Sequence, residues 1–171
     1  MAHVDYQLLA KAYRAYQHMG FTYVEVPWVV SEDGVTKTLP SDRLADPLDD
    51  KYLVGSAEQS LVELMAQGIK LPNYCFAITP CFRQEPVLDE THQRYFMKLE
   101  LFCPFSGKAI MLRKCASIFM RQIGADPAID GEDLLVNGIE VGSYYNRENY
   151  SCGTGIALPR FSVALRKGNW L

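Results

Sequence analysis

Two runs of this chain, Tyr74 to Glu85 and Arg94 to Phe102, carry their charges in strand parity. Successive side chains of a strand point to opposite faces, so Arg83 and Glu85 share one face while Phe82 and Gln84 take the other. On the second run Phe96, Lys98 and Glu100 share a face, opposite Met97, Leu99 and Leu101. Only the eight residues from Pro86 to Gln93 separate the runs, so an antiparallel hairpin is expected, with one apolar face and one charged face. A cation, carboxylates and an aromatic ring on one side of a sheet suit a ligand with a phosphate, a flat base and an ammonium group. The same alternation also describes an exposed sheet face laced with cross-strand ion pairs.

The remaining segments place this hairpin in an α+β chain: an antiparallel β-sheet flanked by helices. Leu9, Ala12, Tyr13 and Tyr16 recur at helical spacing between Asp5, a candidate N-cap, and Gly20. Gly20 to Pro27 is β-branched and aromatic, a strand ending at its proline. Ser31 to Lys51 is polar, interrupted by Gly34, Pro40 and Pro47, and predicts a long irregular connection. A helix is expected from Ala57 to Gln67 with Leu61, Leu64 and Met65 inward, and another carrying Leu112, Cys115, Ala116, Phe119 and Ile123. Strand character returns from Leu134 to Tyr145, and a last helix is expected to start near Gly155 and run toward Lys167.

At 171 residues with 49% apolar and 22% charged content, the chain reads as one globular domain spanning 1–171. A net charge of −3 gives no broad electrostatic footprint for nucleic acid. No apolar run is long enough for a bilayer, and Met1 to Tyr6 lacks the pattern of a signal peptide, so a soluble cytoplasmic protein with no membrane partner is expected. Cys75, Cys81, Cys103, Cys115 and Cys152 are dispersed and odd in number, which predicts reduced thiols.

The run Thr79-Pro80-Cys81-Phe82-Arg83-Gln84-Glu85, followed by Arg94 to Phe102, resembles motif 2 of class II aminoacyl-tRNA synthetases, with its opening most like the seryl branch. The resemblance implies that Arg83 contacts the ATP α-phosphate and the amino-acid carboxylate, that Glu85 meets the adenine amine, and that Phe96 stacks on adenine. Gly153-Thr154-Gly155-Ile156-Ala157-Leu158-Pro159-Arg160 is similar to motif 3, which implies that Gly153 and Gly155 let backbone approach the nucleotide and that Arg160 holds the γ-phosphate. Read without the family, the same glycines mark a tight strand-to-helix turn.

Glu140 and Ser143 resemble the family positions that contact Mg²⁺, a cation that takes hard oxygen ligands. Three residues apart is the wrong parity for a flat strand, so a bulge at Gly142 is expected to turn both inward. Gly55-Ser56-Ala57-Glu58 resembles the loop that holds the substrate ammonium, and Ser56 also suits a helix N-cap. Glu100 and Cys152 fall at the amino-acid pocket by the same resemblance. As zinc ligands they would be too few, since Ser56 stands where a thiolate or imidazole is needed, and zinc is not expected. The helix, glycine and strand up to Pro27 resemble motif 1, which implies a homodimer through that segment.

A truncated class II catalytic core, with no anticodon-binding domain, is therefore the expectation. The chemistry implied is attack of a small, serine-like amino acid on ATP to give an aminoacyl-adenylate, with Arg83 and Arg160 stabilising charge and no protein nucleophile. His3, His18 and His92 take no role in it, and His92, in the loop of the motif 2 resemblance, is read as solvated or mobile. The loop from Pro86 to Gln93 carries Asp89 and Glu90 and no Lys or Arg, poor chemistry for a phosphate backbone. The acyl acceptor is thus a carrier protein, a small molecule, or a tRNA end held by another subunit. A synthetase-derived module that senses ATP or an amino acid without turnover is the alternative, and a ligand-free remnant a third reading.

Overall fold

The computed structural model describes residues 3–45, 47 and 49–168. Helix α1, Tyr6–His18, starts where the Asp5 carboxylate accepts the Leu8 amide at 2.9 Å, and it buries Leu8, Leu9, Ala12 and Tyr16. The strand expected from Gly20 to Pro27 forms only over Thr22–Tyr23 (β1), paired in parallel with the first strand of the hairpin. Past it the chain leaves the main sheet: Val29–Ser31 (β2) pairs antiparallel with Lys51–Leu53 (β3) in a separate two-stranded ribbon.

The connection expected to be irregular therefore has structure at both ends. It also holds a short helix α2, Glu32–Thr36, capped by Ser31, and a 3₁₀ turn at Ser41–Arg43. Positions 46 and 48 of that stretch lie outside the described residues. Val30, Val35, Leu39 and Val54 close a small apolar cluster of their own, too sparse in the sequence to show a period.

Helix α3, Ala57–Ala66, is followed by the hairpin of β4, Cys75–Phe82, and β5, Tyr95–Cys103. Their register sets Cys81 opposite Phe96, Thr79 opposite Lys98 and Ala77 opposite Glu100, so the parity read from the sequence holds. Helix α4, Ala109–Gln122, leads into β6, Ala128–Asp130, β7, Asp133–Val136, and β8, Ile139–Asn146. The strand-like run from Leu134 to Tyr145 resolves into two strands, folded at Asn137 (φ +51°) and Gly138 (φ +76°). Consecutive positive φ values are what a tight two-residue hairpin requires and what Asn-Gly accommodates.

The last helix is also corrected. Ser151–Leu158 is strand β9, buried along its whole length, and helix α5 begins only at Arg160 and runs to Lys167. Small residues and glycines hid this strand, because a strand packed on both faces at close quarters need not be β-branched. The sheet order is β1-β4-β5-β9-β8-β7-β6, antiparallel apart from the β1–β4 pair.

On its apolar face Leu99, Leu101, Tyr144, Ile156 and Leu158 pack against Tyr16 of α1, Leu112, Phe119 and Met120 of α4, and Phe161 of α5. The opposite face is covered only at one end, where Ala57 and Leu61 of α3 meet Cys75, Ala77, Phe102 and Cys152. The rest of that face opens into a cavity.

All five cysteines are free, and four are buried. Burial pushes the Cys81 thiol up to about 11 and those of Cys75 and Cys103 up to about 12. A thiolate is the reactive form, so native protein at neutral pH is expected to react with a thiol reagent at half-buried Cys115 alone, against all five in denaturant. Rapid labelling of Cys81 in the native state, read by mass spectrometry, would contradict this packing. Among the described residues no helix is long and apolar enough to cross a membrane.

Candidate active site

The open part of the sheet face carries a cavity of about 210 Å³ walled by Arg83, Glu85, Phe96, Glu140, Ser143 and Arg160. The hairpin supplies its floor. The Arg83 guanidinium carbon stands 5.2 Å from the centre of the Phe96 ring, and its Nε donates to the Gly55 carbonyl at 3.0 Å. Beyond the end of β4 the chain stays extended, because Arg83 N donates to Arg94 O on one side while Phe82 N and Gln84 N donate to Val54 O and Arg43 O on the other.

Strand β8 supplies a side wall through an irregular register. Leu134 faces Gly142 while Leu135 faces Glu140, so Val141 is the extra residue and both Glu140 and Ser143 reach the cavity. The bulge expected at Gly142 is thus one position earlier. Ser143 Oγ donates to Asp133 Oδ1 at 2.5 Å, and Glu140 pairs with Arg160 Nη1 at 3.3 Å.

The Pro86–Gln93 loop folds back as a rim. The Asp89 carboxylate accepts from the amides of Thr91 and His92, each at 2.7 Å, and lies 3.0 Å from the His92 ring. Bonds to His92 first and Thr91 next hold that carboxyl well below the usual carboxylate range. Arg160 Nε donates to Thr91 O at 3.2 Å, so the first residue of α5 touches both rim and wall. His92, read as solvated, is exposed yet borders the cavity.

A second cavity of about 310 Å³ adjoins the first, sharing Arg83, Lys98 and Tyr145 with it. Ser56 and Glu58 line it. Ser56 sits at the N-cap position of α3, but its hydroxyl makes no capping bond and remains available to the cavity. Glu58 accepts from Tyr145 OH at 2.6 Å and Tyr150 OH at 2.8 Å, with Arg147 Nε at 3.9 Å. Burial pushes both phenols up, Glu58 adding to the effect at Tyr150, so they stay protonated donors.

Among solved structures, the pyrrolysyl-tRNA synthetase of Desulfitobacterium hafniense superposes with a TM-score of 0.72 at 16% identity, covering 95% of this chain and 68% of that one. A second structure of a pyrrolysyl-tRNA synthetase from the same organism gives 0.71. The seryl-tRNA synthetase of Pyrococcus horikoshii, solved with ATP, gives 0.74 at 21% identity over 94% of this chain and 49% of that one. The fold is that of a class II aminoacyl-tRNA synthetase catalytic core. No protein-family model and no curated protein matches the chain in sequence, and these identities speak for the fold, not for one branch of the class.

Within the class II fold, Arg83, Glu85, Phe96, Glu140, Ser143 and Arg160 meet at one cavity, and Ser56 and Glu58 at its neighbour. Four other expected positions lie behind the walls. Glu100 is buried beneath Lys98, whose Nζ stands 2.8 Å from Glu100 Oε2, and burial raises this carboxyl despite the lysine. Cys152 faces Phe102 and Tyr145 in the cluster under α3, where burial, then Glu58 and Glu100, pushes its thiol up.

Gly153 and Gly155 point their missing side chains at the apolar core, away from the cavity. A Cβ on Gly153 would lie 2.2 Å from Tyr144 Cδ1, and one on Gly155 2.4 Å from Leu99 Cδ2. These glycines make room for core side chains, and neither lines the cavity.

The sequence reading missed Tyr145, Tyr150 and Arg43. Tyr145 was findable, since it shares strand parity with Ser143, whereas Arg43 sits in an aperiodic stretch that offered no signal.

Proposed function

We propose that the protein activates a small, serine-like amino acid with ATP to give an aminoacyl-adenylate. The observation that carries this reading is the convergence on one cavity of Arg83, Glu85 and Phe96 from the hairpin, Glu140 and Ser143 from β8, and Arg160 from α5. The named structural neighbours are ligases of this class, which supports the same kind of chemistry.

In the proposed reaction a carboxylate oxygen of the amino acid attacks the α-phosphorus, the bond from that phosphorus to the bridging oxygen breaks, and pyrophosphate leaves. Arg83 neutralises the charge that grows on the α-phosphate, and Arg160 holds the departing end. Phe96 offers a stacking face to the base and Glu85 an acceptor to its exocyclic amine. Lys98 and Ser56, at the junction and in the second cavity, orient the amino acid.

Among the described residues no three His, Cys, Asp or Glu side chains are grouped to hold a metal on their own. Glu140 and Ser143 nevertheless offer the hard oxygen donors that suit Mg²⁺ arriving on a triphosphate, and there it would neutralise phosphate charge. Homodimerisation through α1 and the edge strand β1 is part of the proposal, as is a reducing compartment such as the cytoplasm for five free thiols. The acyl acceptor is a carrier protein, a small molecule or an assisted tRNA end.

One observation favours a second reading, a regulatory module that binds ATP or an amino acid without turnover. Glu58 already accepts two tyrosine hydroxyls, so a substrate ammonium would have to share it. Amino-acid-dependent exchange of labelled pyrophosphate into ATP, run with each proteinogenic amino acid, separates the two. Exchange with serine or another small amino acid is the expected result. Binding of ATP with exchange for none would leave the sensor.

A further inference from the structure

We infer that Arg43 is a positioning residue that sets Glu85 to read an amino-bearing nucleobase. The inference rests on the nucleotide-site reading above and deepens it. Arg43 Nη1 stands 2.7 Å from Glu85 Oε2, and the Glu85 side chain is only 7% exposed against 38% for Arg43. The carboxylate is therefore nearly enclosed, and its guanidinium partner is the more exposed of the pair. Glu85 lines the first cavity and Arg43 lines the second, so the ion pair links the two. Among the described residues no other side chain bonds Glu85.

An ionised carboxylate only accepts hydrogen bonds. With Oε2 taken by Arg43, the remaining oxygen is offered to a ligand donor, which fits an exocyclic amine and opposes a keto oxygen. The backbone holds the same segment independently, since Gln84 N donates to Arg43 O at 3.1 Å and Phe82 N to Val54 O at 2.8 Å. A side-chain substitution at Arg43 leaves those two bonds in place. It frees the Glu85 rotamer and strips the carboxylate of its guanidinium partner. Arg43 thus ties the ribbon segment between β2 and β3 to base selection through Glu85, while its own side chain borders the second cavity.

The test compares equilibrium binding of ATP and inosine triphosphate, which carries a keto oxygen in place of the exocyclic amine, by calorimetric titration. Wild type is expected to prefer ATP by about tenfold or more, the scale of a hydrogen bond to a charged group. Arg43→Ala should lower ATP affinity by about tenfold and leave inosine triphosphate nearly unchanged, bringing the ratio toward unity. Arg43→Lys should restore part of the ratio, keeping the charge but losing the planar fork. Melting curves show whether each variant folds, and Arg43→Lys is the milder test if Arg43→Ala does not.

Equal weakening of both nucleotides, or an unchanged ratio, would reduce Arg43 to a structural contact and overturn the inference. A wild type that binds both nucleotides equally would remove Glu85 as the reader and the inference with it. A wild type that binds neither would instead refute the nucleotide site itself.

Discussion

Arg83→Ala is expected to lower amino-acid-dependent pyrophosphate exchange by about 10³-fold, the cost of removing a preorganised donor aimed at developing charge. The fold should survive. What the native state loses is one bond from Nε to Gly55 O and the stacking of a cation on Phe96, together about 1 to 2 kcal/mol. Backbone bonds from Arg83 N and from its neighbours hold the strand extension whatever the side chain. Arg83→Lys should recover little, since a point charge cannot grip Gly55 O and a phosphate together. Exchange kinetics beside a denaturation curve read both effects, and exchange near the wild-type rate would strip Arg83 of its assigned role.

Gly153→Ala should do the reverse, harming the fold and not the site. The new methyl would stand 2.2 Å from Cδ1 and 2.9 Å from Cε1 of Tyr144, a ring that is itself buried. That ring cannot simply swing away, because its hydroxyl donates to Thr154 O at 2.6 Å inside the core. Overpacking a rigid core of this kind costs about 3 kcal/mol, and a shift in the denaturant midpoint is the measurement. ATP affinity of the molecules that remain folded should be unchanged. A stable variant with weakened nucleotide binding would mean that the glycine serves the ligand after all.

The hairpin was legible because its signal is local. Alternation along Arg94 to Phe102, and the eight residues between the runs, already imply which side chains share a face, and the register obeys them. Helix α1 was legible for the same reason, with its cap three residues before the amide it bonds. Strand β9 was not, because its identity depends on Tyr16, Leu99 and Tyr144 filling the space over its glycines, and those side chains come from three other elements. The two-stranded ribbon was lost for want of length, each strand being three residues long.

For the site, sequence parity put Phe96, Lys98 and Glu100 on one face but could not rank them by depth. Depth is set by what lies over the sheet. Near α3 the face is roofed by Ala57 and Leu61, which leaves Glu100 and Cys152 buried, whereas Phe96 lies nearer the hairpin tip, where the face is open. The bulge at Val141 likewise reconciles Glu140 with Ser143 through a slip against β7 that neither residue reveals.

The sequence by itself determined the hairpin, helices α1, α3 and α4, and the strand parity of Arg83, Glu85 and Phe96, while Glu140, Ser143 and Arg160 were implied by the family resemblance alone. It could do so because hydrophobic period and turn chemistry act over a few neighbours. Only the tertiary structure decided that Gly153 and Gly155 belong to the core, that Glu58 is capped by two tyrosines, and that Arg43 pairs with Glu85. Each of those facts joins segments far apart in the chain. Steric exclusion and charge pairing between such segments are fixed by packing, not by the order of residues along either one.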